Sequence, residues 1–487
     1  MTLETTETFE MTTEVTSVYV NRFLEFFFRH YLLPNRLYFE NINRIAIEGH
    51  EVLTFTFIDP QGRGYVDVEL WARKPILVRM RPSDRALLRW ALHQLREDVI
   101  MELQLFEEGV RRRTIHFSWV EGERIPLEKA ISAHKRGVWK VFSGSMLPLF
   151  LIFLSLNFFI FATFGYYAPL MLVTIQLIII SFSDRVMARL GGWTIDQKNP
   201  IIHVLQCQLP TEDYEALRQK YSIDQLMKIK QDICKETLEI GEELNRQTAL
   251  KVLSKHGIDC SLENLLIKKV NVYGLVREVA DRFDLPVPKI VILNTMLPNA
   301  SATGISPGHG TVLITTGLIT QLEEGEVLSV LGHEFSHIKG RDPLILFALS
   351  ASEYLFRAYI LFPLILTLPS SVLLFQLIYS IYFPVVMGAI YFVGKFLEAR
   401  ADLESAIRIG QPKVLAWALR KIGFRRLRLE RLQVYRVSAW LGWDPHPPTY
   451  FRIERLEKME VPANEMHPML RSIRDVINGF IEAVRSL

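Results

Sequence analysis

The chain has 487 residues, a net charge of +3 and 22% charged residues, so it needs more than one core and gives no reason to expect a nucleic-acid surface. Its mean hydropathy of +0.16 and 49% apolar content are high for a soluble protein, and the excess is confined to residues 142–183 and 343–397. Cys207, Cys234 and Cys260 are far apart with no CxxC pair, which indicates neither a disulfide framework nor a thiolate metal site and fits a reducing compartment.

Residues 1–16 are acidic and Thr-rich, with no basic start and no early apolar core. They read as a disordered tail, not a cleavable signal. Residues 17–140 read as an N-terminal α+β accessory domain. Residues 18–33 are rich in Phe, Leu and Tyr but broken by Arg22, Glu25 and Arg29. Because strands follow at once, a core helix is the better reading than an interfacial one. Residues 52–58 place Leu53, Phe55 and Phe57 on one face, and residues 65–71 place Val66, Val68 and Leu70 on one face. With the turn from Asp59 to Gly64 between them, they predict a hairpin. A third strand is expected at 76–80, then a helix capped by Ser83 and running to about Glu108. No chemical constellation stands out in this region.

Residues 141–185 hold two uncharged stretches, 145–163 and 166–183, each close to the ~20 residues that cross a bilayer core. Lys135, Arg136 and Lys140 precede them and Arg185 and Arg189 follow. The positive-inside rule puts these flanks in the cytoplasm. Residues 186–342 read as a helical linker leading into a catalytic domain, with a helix at 270–283 and strands at 289–293 and 311–316. Residues 343–396 form a second pair of spans, 344–368 and 372–394, meeting at Leu368-Pro369-Ser370-Ser371. Lys339, Arg341, Lys395 and Arg400 flank them, again on the cytoplasmic side. Glu353 and Arg357 fall inside the third span at i, i+4 spacing and read as a paired stitch. Residues 397–487 complete the catalytic domain.

Residues 332–337 read Gly-His-Glu-Phe-Ser-His, an HExxH motif on a helix starting near Glu323. Residues four apart share a helix face, so His333 and His337 can converge on one ion. Glu334 lies beside the first ligand and can take a proton from a water at that ion. The motif is short enough to occur by chance, and needs support elsewhere. Glu398 and Asp402 share a helical face just after the fourth span, which returns to the HExxH side. A carboxylate ligand and a carboxylate that orients a histidine suit zinc; taken alone they are two acids on a solvated helix. His446, followed by two prolines, and Arg452 are candidates to stabilise an oxyanion.

In order and spacing these features resemble the membrane-embedded HtpX-type zinc metalloproteases, which are related to the CAAX prenyl endoproteases. The resemblance covers roughly residues 140–460. It rests on Pro298-Asn299-Ala300-Ser301-Ala302-Thr303-Gly304, on residues 312–318, and on GHEFSH with Asp342 soon after. Glu398-Ala399-Arg400-Ala401-Asp402, Gly410-Gln411-Pro412 and the HPPxxxRI run at 446–453 complete it.

The resemblance implies zinc held by His333, His337 and Glu398, with Glu334 as general base. It implies an orienting role for Asp402 and oxyanion or substrate contacts for His446 and Arg452. Asn299, Ala300, Ser301 and Ala302 would form the edge strand on which an extended substrate pairs. The expected fold is membrane α-helical, with four transmembrane helices, an α+β cytosolic gluzincin-like metalloprotease domain and an extra N-terminal α+β domain. The expected protein is a multi-pass cell-membrane endopeptidase that takes protein or peptide substrates at the cytoplasmic side. A CAAX-type processing protease and a silent membrane scaffold are the alternatives. The N-terminal domain is not part of the basic HtpX pattern, and Ser301 stands where the family often has Phe.

Overall fold

The computed structural model describes residues 6–122, 147–182, 185, 192–304, 308, 310–367, 371–460 and 467–485. The basic flanks expected at 134–140 and 189, and the turn at 368–370, lie outside the described residues. The chain divides into two units, residues 1–119 with 203–269, and residues 120–202 with 270–487.

In the first unit, alternation of apolar and polar side chains produces an antiparallel sheet. Its strands are β1 (Glu7–Met11), β2 (Phe39–Ile47), β3 (His50–Ile58), β4 (Tyr65–Trp71) and β5 (Ile76–Pro82), in the order β1-β5-β4-β3-β2. Val66, Val68 and Leu70 are buried, as the period of two requires. Helices α1 (Ser17–Phe27) and α2 (Arg89–Arg111) cover the sheet. Phe27 meets Phe55 at 5.8 Å and Phe23 meets Phe106 at 5.6 Å between ring centroids. The helix near the N-terminus is therefore a core helix.

Three expectations are corrected here. Residues 7–11 are not a disordered tail; they form β1, paired with β5, and Met11 and Val15 are buried. The alternation of Phe9 and Met11 was too short to read against a Thr-rich background. The helix does not start at Ser83. The Asp84 carboxylate accepts from the N–H groups of Ala86 and Leu87 at 2.8 and 3.1 Å, and this local turn delays α2 to Arg89. Finally, Cys207 and Cys260 are disulfide-bonded across 53 residues, while Cys234 is free and buried. A second sheet, β6 (Thr114–Val120), β7 (Ile201–Gln208) and β8 (Leu265–Asn271) in the order β6-β7-β8, makes β7 and β8 neighbours. Cys207 on β7 and Cys260 just before β8 meet through that pairing, which no local spacing announces. The inference of a reducing compartment from cysteine spacing loses its footing.

The second unit begins with α3 (Leu147–Phe164) and α4 (Ala168–Ser181), separated by Gly165 at φ 48°. Ile160, Ala168 and Leu172 pack together across that break. A four-stranded sheet follows. It contains β9 (Lys289–Leu293), β10 (Ala300–Thr303), β11 (Thr311–Thr315) and the short strand Trp193–Ile195, in the order β10-β11-β9-Trp193–Ile195. β9 and β11 run parallel, whereas β10 lies antiparallel on β11 at the sheet edge. Gly317, just beyond β11, is required by space. A Cβ there would sit 2.3 Å from the Met296 carbonyl oxygen.

Helix α5 (Val272–Phe283) packs on α6 (Glu324–Gly340), the helix of the HExxH motif; the Phe283 and Phe335 rings lie 6.0 Å apart. Glu323 and Glu326 form a reciprocal capping box at its start. Arg341, at φ 54°, turns the chain from α6 into α7 (Asp342–Phe356). After a π turn over Arg357–Leu361, helix α8 (Ser371–Ile409) runs for 39 residues, about 58 Å at 1.5 Å per residue. Helices α9 (Pro412–Ile422), α10 (Phe424–Glu430), α11 (Gln433–Leu441), α12 (Thr449–Glu457) and α13 (Pro468–Arg485) complete the unit. Among the described residues, Ser155–Ser181, Asp342–Leu366 and Gln376–Ile409 are long and apolar enough to cross a membrane.

Candidate metal centre

Two helices that meet late in the chain build the site. On α6, His333 and His337 stand one turn apart on the same face. On α8, Glu398 and Asp402 do the same. Gly332 lets the helices close: a Cβ there would lie 2.7 Å from Ser405 Oγ and 2.8 Å from Ile409 Cγ1. Ser405 also donates to the Ser329 carbonyl at 2.7 Å, locking the two backbones beside the motif.

The resulting geometry is convergent. The Nε2 atoms of His333 and His337 are 3.1 Å apart. Glu398 Oε2 lies 3.3 Å from the first and Oε1 3.3 Å from the second. One ligand atom from each residue falls within 4.8 Å of the others. Each imidazole is held from behind by a carboxylate. His333 Nδ1 is 3.0 Å from Asp402, and His337 Nδ1 is 2.6 Å from Asp342. An ionised carboxylate can only accept, so His337 Nδ1 carries hydrogen and, in the neutral ring, its Nε2 keeps a lone pair; Asp402 favours the same tautomer at His333 through proximity, since His333 Nδ1 has no well-formed hydrogen bond. With both rings neutral in that tautomer, two nitrogen lone pairs and a carboxylate face one point. Glu398 Oε2 is sealed from solvent and accepts no well-formed hydrogen bond. A cation satisfies that arrangement, and a two-His, one-carboxylate set suits zinc.

The electrostatics agree. Burial favours a neutral His337, but the Glu398 charge and the Asp342 hydrogen bond outweigh it and raise its pKa to about 10. Burial likewise opposes charge on His333, yet the adjacent Asp402 and Glu398 carboxylates raise it above its ordinary value. The site therefore calls for positive charge. Glu334, between the two histidines in sequence, is pushed up by burial; His333 and His337 partly offset this. The Ala302 backbone N–H bonds to Glu334, so this carboxylate sits against edge strand β10. Asn299 is tied to β11, with its N–H 2.9 Å from Thr315 Oγ1 and its carbonyl accepting from Thr315 N–H at 3.0 Å.

Arg452, on α12, grips Asp402 with two nitrogens at 2.8 and 2.7 Å, and its third lies 3.7 Å from Glu398. This is a bidentate clamp, and burial fails to lower the Arg452 pKa because the Asp402 charge raises it further. His446 is about half exposed, with Nε2 3.6 Å from Glu398 and Nδ1 2.8 Å from Asp444. The sequence-predicted residues His333, Glu334, His337, Glu398, Asp402, His446 and Arg452 thus come together, and of residues 299–302 Ala302 adjoins them through Glu334. Sequence reasoning assigned no role to Asp342, which also accepts from Arg400 at 2.7 Å. Its signal was its place just past a left-handed cap, five residues after His337. Lys395, whose ammonium reaches the carbonyls of Gly442 and Asp444, was read only as a flanking charge.

Such a site defines a metal-dependent hydrolase, and comparison with known proteins agrees. The profile of peptidase family M48 matches residues 267–460. A protease HtpX homolog of Pyrococcus abyssi is 34% identical over 225 residues, covering 39% of this chain and 73% of that protein. One from Thermodesulfovibrio yellowstonii is 49% identical over 74 residues, 15% of this chain and 26% of that protein. The crystal structure of S. mikatae Ste24p aligns over 76% of this chain and 74% of its own, at 13% identity and a TM-score of 0.36; a likeness that low carries no argument. The chain belongs to peptidase family M48, in its HtpX-type branch, and is a membrane metalloprotease.

Proposed function

We propose that the protein is a zinc-dependent endopeptidase that cleaves misfolded or membrane proteins at the cytoplasmic face of the cell membrane. The observation that carries this reading is the convergence of His333 Nε2, His337 Nε2 and the Glu398 carboxylate on one point. A zinc ion held by these three residues supplies Lewis acidity toward a water and the scissile carbonyl. Glu334 takes the water proton and returns it to the leaving amine. Asp402 and Asp342 hold the two imidazoles in the ligating tautomer. Arg452 fixes Asp402 and directs its remaining nitrogen toward Glu398. His446, on the exposed side, supports the oxyanion. β10 has no strand on its outer edge among the described residues. An extended peptide pairing there lies alongside Glu334 through Ala302.

Four spans are the reading we favour. The segment Ser155–Ser181 is interrupted by Gly165, and its two halves pack on each other, as a helical hairpin does. The cytoplasmic orientation rests on the basic flanks of both apolar pairs. The Cys207–Cys260 disulfide weighs against it. Residues 17–140 act as an accessory domain in this reading. The Glu334→Gln protein should keep its zinc and lose at least ~100-fold in kcat/KM on casein, the scale of a general-base contribution. Wild-type cleavage by that variant refutes the mechanism.

A further inference from the structure

Residues 424–444, which lie outside the candidate spans, carry five arginines, one glutamate and one aspartate; Arg426 bridges Glu430 and Asp444 at 2.8 and 2.6 Å, and Arg436 donates to the Glu430 carbonyl at 3.1 Å. The glutamate is turned inward: Glu430 is buried and accepts from the N–H groups of Thr449 and Tyr450 at 3.0 and 2.9 Å. Helix α11 buries Trp440 against Phe451 and Phe480. Around it, Tyr435 and Leu441 of α11, Leu432 at its N-cap, Leu429 at the end of α10 and Trp443 just past α11 are apolar or aromatic and left bare. Leu432 is 58% exposed, Leu441 62% and Trp443 55%, with Leu429 and Tyr435 also exposed. Arg428 is exposed beside them. The apolar row also has a fixed neighbour. The Trp443 ring packs edge-on against Phe383 of α8 at 6.1 Å, within the candidate span Gln376–Ile409. The exposed row therefore runs up to a helix long and apolar enough to cross a membrane.

We infer that α10 and α11 form a foot that docks in the interface of an anionic phospholipid bilayer, with the apolar row in the acyl boundary and the exposed Arg428 among headgroups. An apolar face with an aromatic residue at its margin and a cationic rim is the composition of an interfacial segment. Its cationic balance selects anionic lipid. The same balance argues against a second copy of this chain, because a self-complementary contact would oppose like charges. The foot leads directly into the turn from Gly442 to Asp444 that Lys395 holds. It thus places bilayer contact next to the His446 loop without calling on the catalytic reading.

The test uses the full chain in nanodiscs, in a Cys234→Ser background. A spin label is attached at Leu432→Cys or, as a water-facing control, at Lys458→Cys. Collision with oxygen is compared with collision with a polar nickel chelate. With about 30% phosphatidylglycerol in phosphatidylcholine, the oxygen-to-nickel ratio at 432 should exceed that at 458 several-fold. It should fall in phosphatidylcholine alone, and fall when Arg428→Glu is added. Equal ratios at 432 and 458 in both lipids overturn the proposal. Equal ratios at 432 in the two lipids overturn the anionic preference. Dipolar broadening at 432 that vanishes on dilution with unlabelled chains assigns the face to a second copy and also overturns it.

Discussion

His337 can turn a lone pair toward a cation only because Asp342 holds its Nδ1–H from behind, at 2.6 Å. Asp402 stands behind His333, 3.0 Å from its Nδ1, and is itself clamped by Arg452. The two arrangements differ in how visible they were. Asp402 lies one helical turn after Glu398, and that period could be read directly. Asp342 lies beyond the end of α6, where a left-handed Arg341 swings the chain back, and no periodicity survives such a cap. Asp342→Ala should weaken zinc binding 10–100-fold, the usual effect of removing a partner that orients a ligand. Asp342→Asn, whose side-chain oxygen still accepts, should fall between that variant and the wild type. Competition with a chromogenic chelator measures both. Undiminished affinity in Asp342→Ala shows that His337 is oriented by something else.

Helices α6 and α8 bring together ligands separated by more than sixty residues of chain. The close approach depends on a small side chain at 332 and on the Ser405 bond to the Ser329 carbonyl. Gly332→Ala poses two opposed effects. Alanine favours a helix over glycine by about 1 kcal/mol. The added methyl must, however, displace Ser405 and Ile409, and overpacking a tight contact costs about 1–3 kcal/mol. Because the clash involves a branched side chain from an adjoining helix, the second effect should win. The variant should melt at lower temperature and bind zinc more weakly, since His333 is the next residue. A raised melting temperature would mean that the helices part freely at this point. The elements that could be read in advance were those with a strong local period, such as the β3–β4 hairpin, α5 and α6. β1 was missed because only two alternating apolar residues mark it. The second sheet was missed because its partners are drawn from distant parts of the chain.

Across the molecule, the metal centre was far easier to anticipate than its setting. HExxH and ExxAD are helical motifs, so each fixes its own geometry, and a membrane hairpin between them gives a reason for their meeting. The disulfide depends on strand neighbours that no spacing encodes. The interfacial row from Leu429 to Trp443 shows itself only when Trp440 of α11 is seen packed and the residues around it left bare. Everything proposed about proteolysis rests on one metal ion at the junction of α6 and α8. X-ray absorption at the zinc edge on the purified full chain measures this most directly. The expected spectrum has a nitrogen and oxygen shell near ~2.0 Å, with the multiple scattering of two imidazoles, and no sulfur shell. Both imidazole signals should weaken together in a His333→Ala, His337→Ala protein. A sulfur shell, or an unchanged spectrum in that variant, would contradict the assignment of this site.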